Sequence, residues 1–324
     1  MELCKFGAST DGSKDIENGE VGVPPSSSSV SVGGVAPNYP LRILTHIVTL
    51  GIICSLAALV LNSPVTIRGT FCNNTDSALP MKKRSITRVM LLSIGFFTPS
   101  LIIILVECLI AAVRVTQEKQ GNGSPVTLFG WTVPQLLVDL YIHLGGFGFC
   151  HACAWLLVDS IKGYVGSLRP NFFDVCKPDW SKVNCKNSRG EYIYVTDFHC
   201  TGGPGGVEEA RRSFPSAHAA YAMCGMLFAI LYLQYRLRWQ QQETAPKRHL
   251  RNRQGILGLL EQLYWIVQAC VPILQVLMFL LALYVPATRV LEHYHHVRDV
   301  CGGAAVGAVC ALFGAFFVID MRNR

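Results

Sequence analysis

The chain has 324 residues, 51% of them hydrophobic and only 15% charged, with a formal net charge of +7. Soluble domains carry about 25% charged residues, so the deficit excludes an ordinary soluble globule and points to a membrane protein. A basic surface for nucleic acid is the competing reading of the charge, and the long apolar runs described next argue against it.

Residues 1–40 are polar, with four consecutive serines at 26–29 and scattered glycine and proline. Such a segment cannot bury enough surface to fold and is expected to be a disordered cytoplasmic tail. No apolar core follows Met1-Glu2-Leu3-Cys4-Lys5, so no signal peptide opens the chain and the first span is expected to act as the signal anchor. A bilayer crossing takes about 20 apolar residues. Six windows qualify: 43–61, 89–110, 136–158, 217–235, 257–285 and 300–319. Glu107, Asp139 and Glu261 fall inside or at the edges of these windows. An acid within a span is a functional hypothesis by default. Glu107 is equally suited to capping the bundle near the cytoplasmic face, and it is left out of the candidate site. The expected domains are a tail over 1–40, a six-helix bundle over 41–320 and a short cytoplasmic end over 321–324.

The loop between the fourth and fifth spans holds Arg236, Arg238, Lys247, Arg248, Arg251 and Arg253. Clustered Lys and Arg mark a cytoplasmic loop, which puts both termini inside and the loops after spans one, three and five outside. Lys82-Lys83-Arg84, in the first outer loop, runs against that rule. Among thirteen cysteines, Cys54, Cys108, Cys150, Cys153, Cys224, Cys270, Cys301 and Cys310 fall within or beside spans and read as small core residues. Cys72, Cys176, Cys185 and Cys200 fall in the outer loops, where disulfides form and three pairings are open. Asn73-Asn74-Thr75 is a glycosylation sequon on the expected outer side, whereas Asn122-Gly123-Ser124 falls in an expected cytoplasmic loop. Pro99 lies in the second span, and Gly145, Gly146 and Gly148 in the third are expected to let helices approach closely.

Three clusters then share the expected outer side. Lys162 to Pro170 leaves the third span, Arg211-Arg212-Ser213-Phe214-Pro215-Ser216-Ala217-His218 enters the fourth, and Thr288 to Asp299 enters the sixth. Lys162, Arg169 and Arg289, with the Ser216 hydroxyl and backbone N–H groups at a helix start, describe an anion site, most simply one for phosphate. Two histidines, His218 and His295, supply what phosphoryl transfer needs: one group to attack phosphorus and one to protonate the leaving oxygen. If His295 opens the sixth helix, Asp299 lies one turn along the same face and fixes its tautomer. The same residues also suit a His- and Arg-rich loop that merely flanks a membrane helix, and Lys162 and Arg169 also suit snorkelling anchors at a helix end. His293 and His296 read as surface residues or as supports behind the reacting groups. No carboxylate cluster of the kind that holds magnesium is present, so the chemistry is expected to need no metal.

Lys-x6-Arg-Pro, Pro-Ser-x-His and Arg-x5-His-x3-Asp, in this order, resemble the three signatures of the type 2 phosphatidic acid phosphatase superfamily. More narrowly the chain is similar to the animal lipid phosphate phosphatases, through Arg68-Gly69-x-Phe71-Cys72, Leu168-Arg169-Pro170-x-Phe172, Cys176-x-Pro178-Asp179-Trp180 and Leu231-Tyr232-Leu233-Gln234. The resemblance covers about residues 42–320. It implies an all-α membrane protein, six transmembrane helices in a bundle, with the catalytic cluster at the extracellular or lumenal face. It implies His295 as a nucleophile forming a phosphohistidine, Asp299 orienting it, and His218 as general acid. Lys162, Arg169, Ser216, Ala217 and Arg289 would then hold the phosphate oxygens. The implied substrates are phosphatidic acid, lysophosphatidic acid, ceramide 1-phosphate and sphingosine 1-phosphate in the bilayer, with no cofactor. The membrane would be the plasma membrane or an internal one, and a homo-oligomer stays open.

Three positions bear on the pattern. The family usually has glycine where this chain has Ala217, and a methyl group there costs roughly 1 kcal/mol or more if φ must be positive. Thr288 keeps the hydroxyl of the serine usual before Arg289, and Ser167 stands where many relatives have a further arginine. Two other classes compete: a silent relative that binds lipid or a partner, and a small-molecule transporter. Silent relatives should lack the nucleophile or the acid, and transporters spread charges near mid-membrane, whereas the charges here are expected to gather at one end.

Overall fold

The computed structural model describes residues 39–61, 64–118, 126–128, 131–240 and 255–321. The expected tail up to residue 38, the Asn122 sequon and the basic stretch 247–253 lie outside them.

Among the described residues six long helices are apolar enough to cross a membrane, which makes the protein an all-α membrane bundle. They are α1 (Tyr39–Leu61), α2 (Thr98–Glu118), α3 (Gln135–Val165), α4 (Ala217–Leu233), α5 (Ile256–Leu291) and α6 (Val297–Phe313). A helical turn, Arg88–Leu92, and a π-helical turn, Ser93–Phe97, lead into α2. Thr98 Oγ1 donates to Ser93 O at 2.9 Å beside Pro99, the residue that cannot donate an amide. Among the described residues strand pairing is confined to short loops, where β1 (Thr70–Phe71) meets β4 (Tyr194–Val195) and β2 (Val126–Leu128) meets β3 (Trp131–Val133).

The helices outrun the apolar windows. α3 continues to Val165 rather than 158, and α5 to Leu291 rather than 285. Backbone hydrogen bonding carries a helix onward wherever its next residues find partners, whatever their hydropathy. Lys162 and Arg289 therefore sit in the last turns of helices rather than in loops.

α4 is the central helix, packed against α2, α3, α5 and α6, while α1 leans mainly on α3. Its Ala219, Ala220, Ala222, Cys224 and Gly225 are all buried, and the small side chains let the neighbours close in. α6 crosses α4 closely: a Cβ on Gly303 or Gly307 would lie 2.2 Å from the Ser216 or Ala220 carbonyl oxygen. Of the three glycines singled out in α3, only Gly146 meets a close neighbour, the Ile319 side chain; Gly145 and Gly148 have open space beside them. The cysteine reading also narrows. Cys150, Cys224 and Cys310 are buried, whereas Cys54, Cys108, Cys270 and Cys301 are exposed on the bundle's outer surface.

The loops at one end form a small folded cap. Cys72 is bonded to Cys185 and Cys176 to Cys200, which closes one of the three open pairings. Leu168, Phe172, Cys176, Phe198 and Ala210 make its own apolar core.

A second gathering of charge lies among the spans, so the ionisable groups do not all collect at one end. Arg236 donates through Nε and Nη2 to the two oxygens of Glu107 at 2.9 and 2.8 Å, and through Nη2 to Asp139 at 2.8 Å. Tyr232 donates to Glu107 at 2.8 Å, and Arg114 pairs with Asp139 at 2.7 Å. This knot ties α2, α3 and the end of α4 together, far along the helices from the three motifs. Removing one partner of a buried pair costs about 3–5 kcal/mol because the other charge is stranded. Glu107→Ala should lower the unfolding midpoint in detergent by that order, and Glu107→Leu combined with Arg236→Leu should recover much of the loss. An unchanged midpoint in the single variant would refute the role.

Candidate active site

α3 ends where the chain has to turn. Gly166 takes a left-handed conformation (φ 56°), its N–H donates to Lys162 O at 3.2 Å, and a Cβ there would lie 2.0 Å from Thr66 O. Only glycine fits, so the helix stops one turn past the buried Lys162 and the chain folds back over the bundle. Arg169 N then donates to Ala210 O at 2.9 Å, and Ser213 N to Ser167 O at 2.9 Å. The first and second motifs are thereby laced side by side above the cap's apolar core, with the Arg169 side chain buried.

Ser216 caps α4 in an extended conformation, and its N–H donates to Asp299 O at 2.9 Å. Ala217 is the first residue of α4 in ordinary right-handed geometry, so its methyl group meets none of the strain a positive φ would impose. The first-turn amides of α4 open toward the cavity end, as helix starts do at anion sites. Ser216 Oγ and His218 Nε2 are buried and form no hydrogen bond among the described residues.

The third motif closes α5 and opens α6. His293 adopts φ 63°, and the N–H groups of Tyr294 and His295 donate to Arg289 O at 3.0 and 3.3 Å. His296, rather than His295, caps α6, and Asp299 Oδ2 accepts from the His296 N–H at 2.9 Å and lies 3.1 Å from its Nδ1. The helix therefore begins at Val297, and the direct His295–Asp299 bond expected from spacing is open at 3.9 Å. Ser213 fills the gap: its Oγ donates to Asp299 Oδ2 at 2.6 Å and stands 3.4 Å from His295 Nδ1. Neither Ser213 nor the capping role of His296 was legible. Ser213 is a single polar residue whose partners lie more than eighty residues away, and the cap at His296 depends on where the helix starts, which spacing does not fix.

One cavity of about 560 Å³ is lined by Lys162, Arg169, Ala217, His218, Arg289 and His295, brought from three separate segments, with Arg84, Arg88, Asp159 and Glu209 beside them. Ser216 and Asp299 are buried and do not belong to this lining. A larger apolar groove, about 1320 Å³ between α1, α3 and the end of α6, contains none of the motif residues. Within the site Glu209 accepts from Arg169 Nη2, and Glu292 Oε2 lies 2.7 Å from Arg289 Nη2. Burial alone would raise the Glu209 carboxyl, but Arg169 and Lys162 outweigh it and hold it below the usual carboxylate range. Burial, then the charges of Arg169 and Lys162, drives His295 well below the ordinary imidazole range. Its ring is neutral at pH 7, which is the form that can act as a nucleophile. Since Nδ1 faces Ser213 and Asp299, Nε2 is the nitrogen left for a ligand in the cavity.

A model of the PAP2 superfamily matches residues 143–322. The chain is 32% identical over 257 residues to phospholipid phosphatase 1 of Mus musculus, covering 78% of this chain and 75% of that one. It is 31% identical over 281 residues to phospholipid phosphatase 2 of the same species, covering 84% of this chain and 86% of that one. Its likeness to phospholipid phosphatase 2 of Homo sapiens is also 31% over 281 residues, covering 84% and 83%. No solved structure matches.

The electrostatics give a titration test. Fixed positive charge disfavours the imidazolium, so the His295 midpoint should lie well below that of a free histidine and should move upward in Arg169→Gln. Carbon-13 histidine spectra of the detergent-solubilised protein, with His295→Ala as the assignment control, would read it. A His295 signal titrating with the exposed histidines would contradict the site as described.

Proposed function

The chain belongs to the PAP2 superfamily and is a phosphatase of the animal lipid phosphate type; from that premise we propose that it hydrolyses lipid phosphate monoesters through a phosphohistidine at His295, without a metal. The observation that carries this reading is the meeting of Lys162, Arg169, Arg289, His218 and His295 around one cavity. The substrates proposed are phosphatidic acid, lysophosphatidic acid, ceramide 1-phosphate and sphingosine 1-phosphate.

Three fixed cations and the first-turn amides of α4 hold the three non-bridging phosphate oxygens and meet the charge that spreads over them in the transition state. These groups take the part a divalent ion plays in other phosphatases. His295 Nε2 attacks phosphorus, forming the N–P bond as the P–O bond to the lipid breaks. Its Nδ1–H is held by Ser213 Oγ, which donates in turn to Asp299. That relay fixes the tautomer and stabilises the positive charge the ring acquires. His218 gives its proton to the departing lipid oxygen, producing an alcohol that stays in the bilayer. The arriving phosphate supplies the negative charge that a protonated His218 needs beside three cations. In the second half His218 takes a proton from water, the hydroxide attacks phosphorus, the N–P bond breaks and inorganic phosphate leaves. His295 is restored.

The proposed location of the site is the outer or lumenal face. Its end of the bundle carries both disulfides, which form in oxidising compartments, whereas Arg236 and Arg238 mark the other end of α4. The acyl chains would leave the site past apolar residues of its lining such as Leu92 and Trp155.

Two assays test the reading. Wild type should release phosphate from phosphatidic acid in mixed micelles with EDTA present, and His295→Ala should lose more than about 10³-fold in turnover, as nucleophile deletions do. Dependence on added magnesium, or full activity in the variant, would reject it. Ser213→Ala should keep substrate affinity and lose about 10- to 100-fold in kcat, the usual cost of removing a group that orients a ligand; an unaltered kcat would exclude the relay.

A further inference from the structure

The first outer loop contradicts the positive-inside rule through Lys82, Lys83 and Arg84, and the fold accounts for it. The segment 80–85 is pinned to the loop that carries the third motif. His293 Nδ1 lies 2.9 Å from Pro80 O, Lys82 Nζ donates to Leu291 O at 3.0 Å, Tyr294 Oη donates to Lys82 O at 3.2 Å, and Ser85 N donates to Glu292 Oε1 at 2.6 Å. These bonds bring Arg84 over the Tyr294 ring, 4.7 Å from its centroid, with Arg169 and Arg289 each 5.8 Å from the same centroid. Three guanidinium groups thus share one aromatic ring at the edge of the cavity.

Arg84 and Arg88 both line that cavity. The two motif arginines each have a carboxylate partner, Glu209 for Arg169 and Glu292 for Arg289. Among the described residues neither Arg84 nor Arg88 forms an ion pair within 4 Å, although the charge of Arg88, with those of Arg169 and Lys162, helps hold Glu209 ionised. One phosphate is already matched by Lys162, Arg169, Arg289 and the α4 amides, so these two charges are surplus to its needs. Their placement says what they meet. Arg88, Leu91 and Leu92 line the cavity from one helical turn, at i, i+3 and i+4. Leu91 is buried against the bundle while Arg88 and Leu92 are exposed, so Arg88 shares its turn of the cavity lining with apolar residues, where the leaving group's own substituents would lie.

We propose that Arg84 and Arg88 form a second subsite that reads the charge of the headgroup atoms next to the transferred phosphate, favouring an anionic substituent and disfavouring an ammonium. They are specificity-determining residues for the reaction described above, on which this inference rests. Like charges at close range repel and a charged donor gains most from a charged acceptor, so one fixed pair discriminates in both directions.

The test uses three lipids that differ at one nitrogen: sphingosine 1-phosphate, with an ammonium; its N-acetyl derivative, neutral; and its N-succinyl derivative, with a carboxylate. Binding is measured on full-length His295→Ala protein in neutral-lipid nanodiscs, with the phosphate of each lipid replaced by a non-hydrolysable phosphonate, so that nothing is hydrolysed whatever the role of His295. The expected order is succinyl over acetyl over free amine, spanning about tenfold or more at low salt and narrowing as salt screens the exposed arginines. Adding Arg84→Gln and Arg88→Gln should flatten the series, whereas Arg84→Lys with Arg88→Lys should retain the order. Equal affinities in the parent, or an order that survives in the double glutamine variant, would overturn the subsite. Hydrolysis by the wild-type protein, measured separately, tests only the underlying reaction.

Discussion

The site depends on one close approach, that of the starts of α4 and α6. The Ser216 N–H donates to Asp299 O at 2.9 Å, and Gly303, one turn further along α6, leaves room for the Ser216 carbonyl where any Cβ would clash. A hydrogen bond between two helix starts satisfies an amide that would otherwise be orphaned. It also fixes the distance between the helix carrying His218 and Asp299. With those two elements locked, Ser213 falls between His295 and Asp299, and the remaining cations need only reach inward from α3, α5 and the cap.

Two polar centres then divide the bundle's labour. The knot around Glu107 and Arg236 is saturated: both guanidinium faces and both carboxylate oxygens have partners, and Tyr232 adds another. A network satisfied this fully holds helices together and has little capacity left for a ligand. At the motif end the balance is reversed. Ser216 Oγ, His218 Nε2 and Arg169 Nε are buried without hydrogen-bond partners among the described residues, as expected of groups that await an anion. Polar groups of the same kinds are thus tied to one another in one place and left with unpartnered atoms in the other.

Much of this was legible in the chain itself. Six apolar windows gave six helices because crossing a bilayer leaves few alternatives to a helix. Lys162, Arg169, Ser216, His218, Arg289, His295 and Asp299 were named from spacing, and the fold gathers all of them. What spacing could not supply was local geometry. A separation of four residues suggested a direct His295–Asp299 bond, but the helix starts after His296, and a shift of one residue at a helix end turns a side chain through about 100°. Ser213 was invisible because its partners are some eighty residues away in sequence. Arg84 did leave a signal, as part of a basic run at odds with the expected orientation, and the folded contacts bring it to the cavity. Ala217, which looked like a departure, is an ordinary first residue of a helix.

The central claim is that phosphate passes through His295 and leaves in a second step. Its most direct test is the stereochemical course of hydrolysis, using a lipid thiophosphate made chiral with oxygen isotopes and turned over in labelled water. Two successive in-line displacements, first by His295 Nε2 and then by water, predict overall retention at phosphorus. Inversion would mean that water attacks the lipid phosphate directly, and His295 would then have to be a base or a phosphate-binding group rather than the nucleophile.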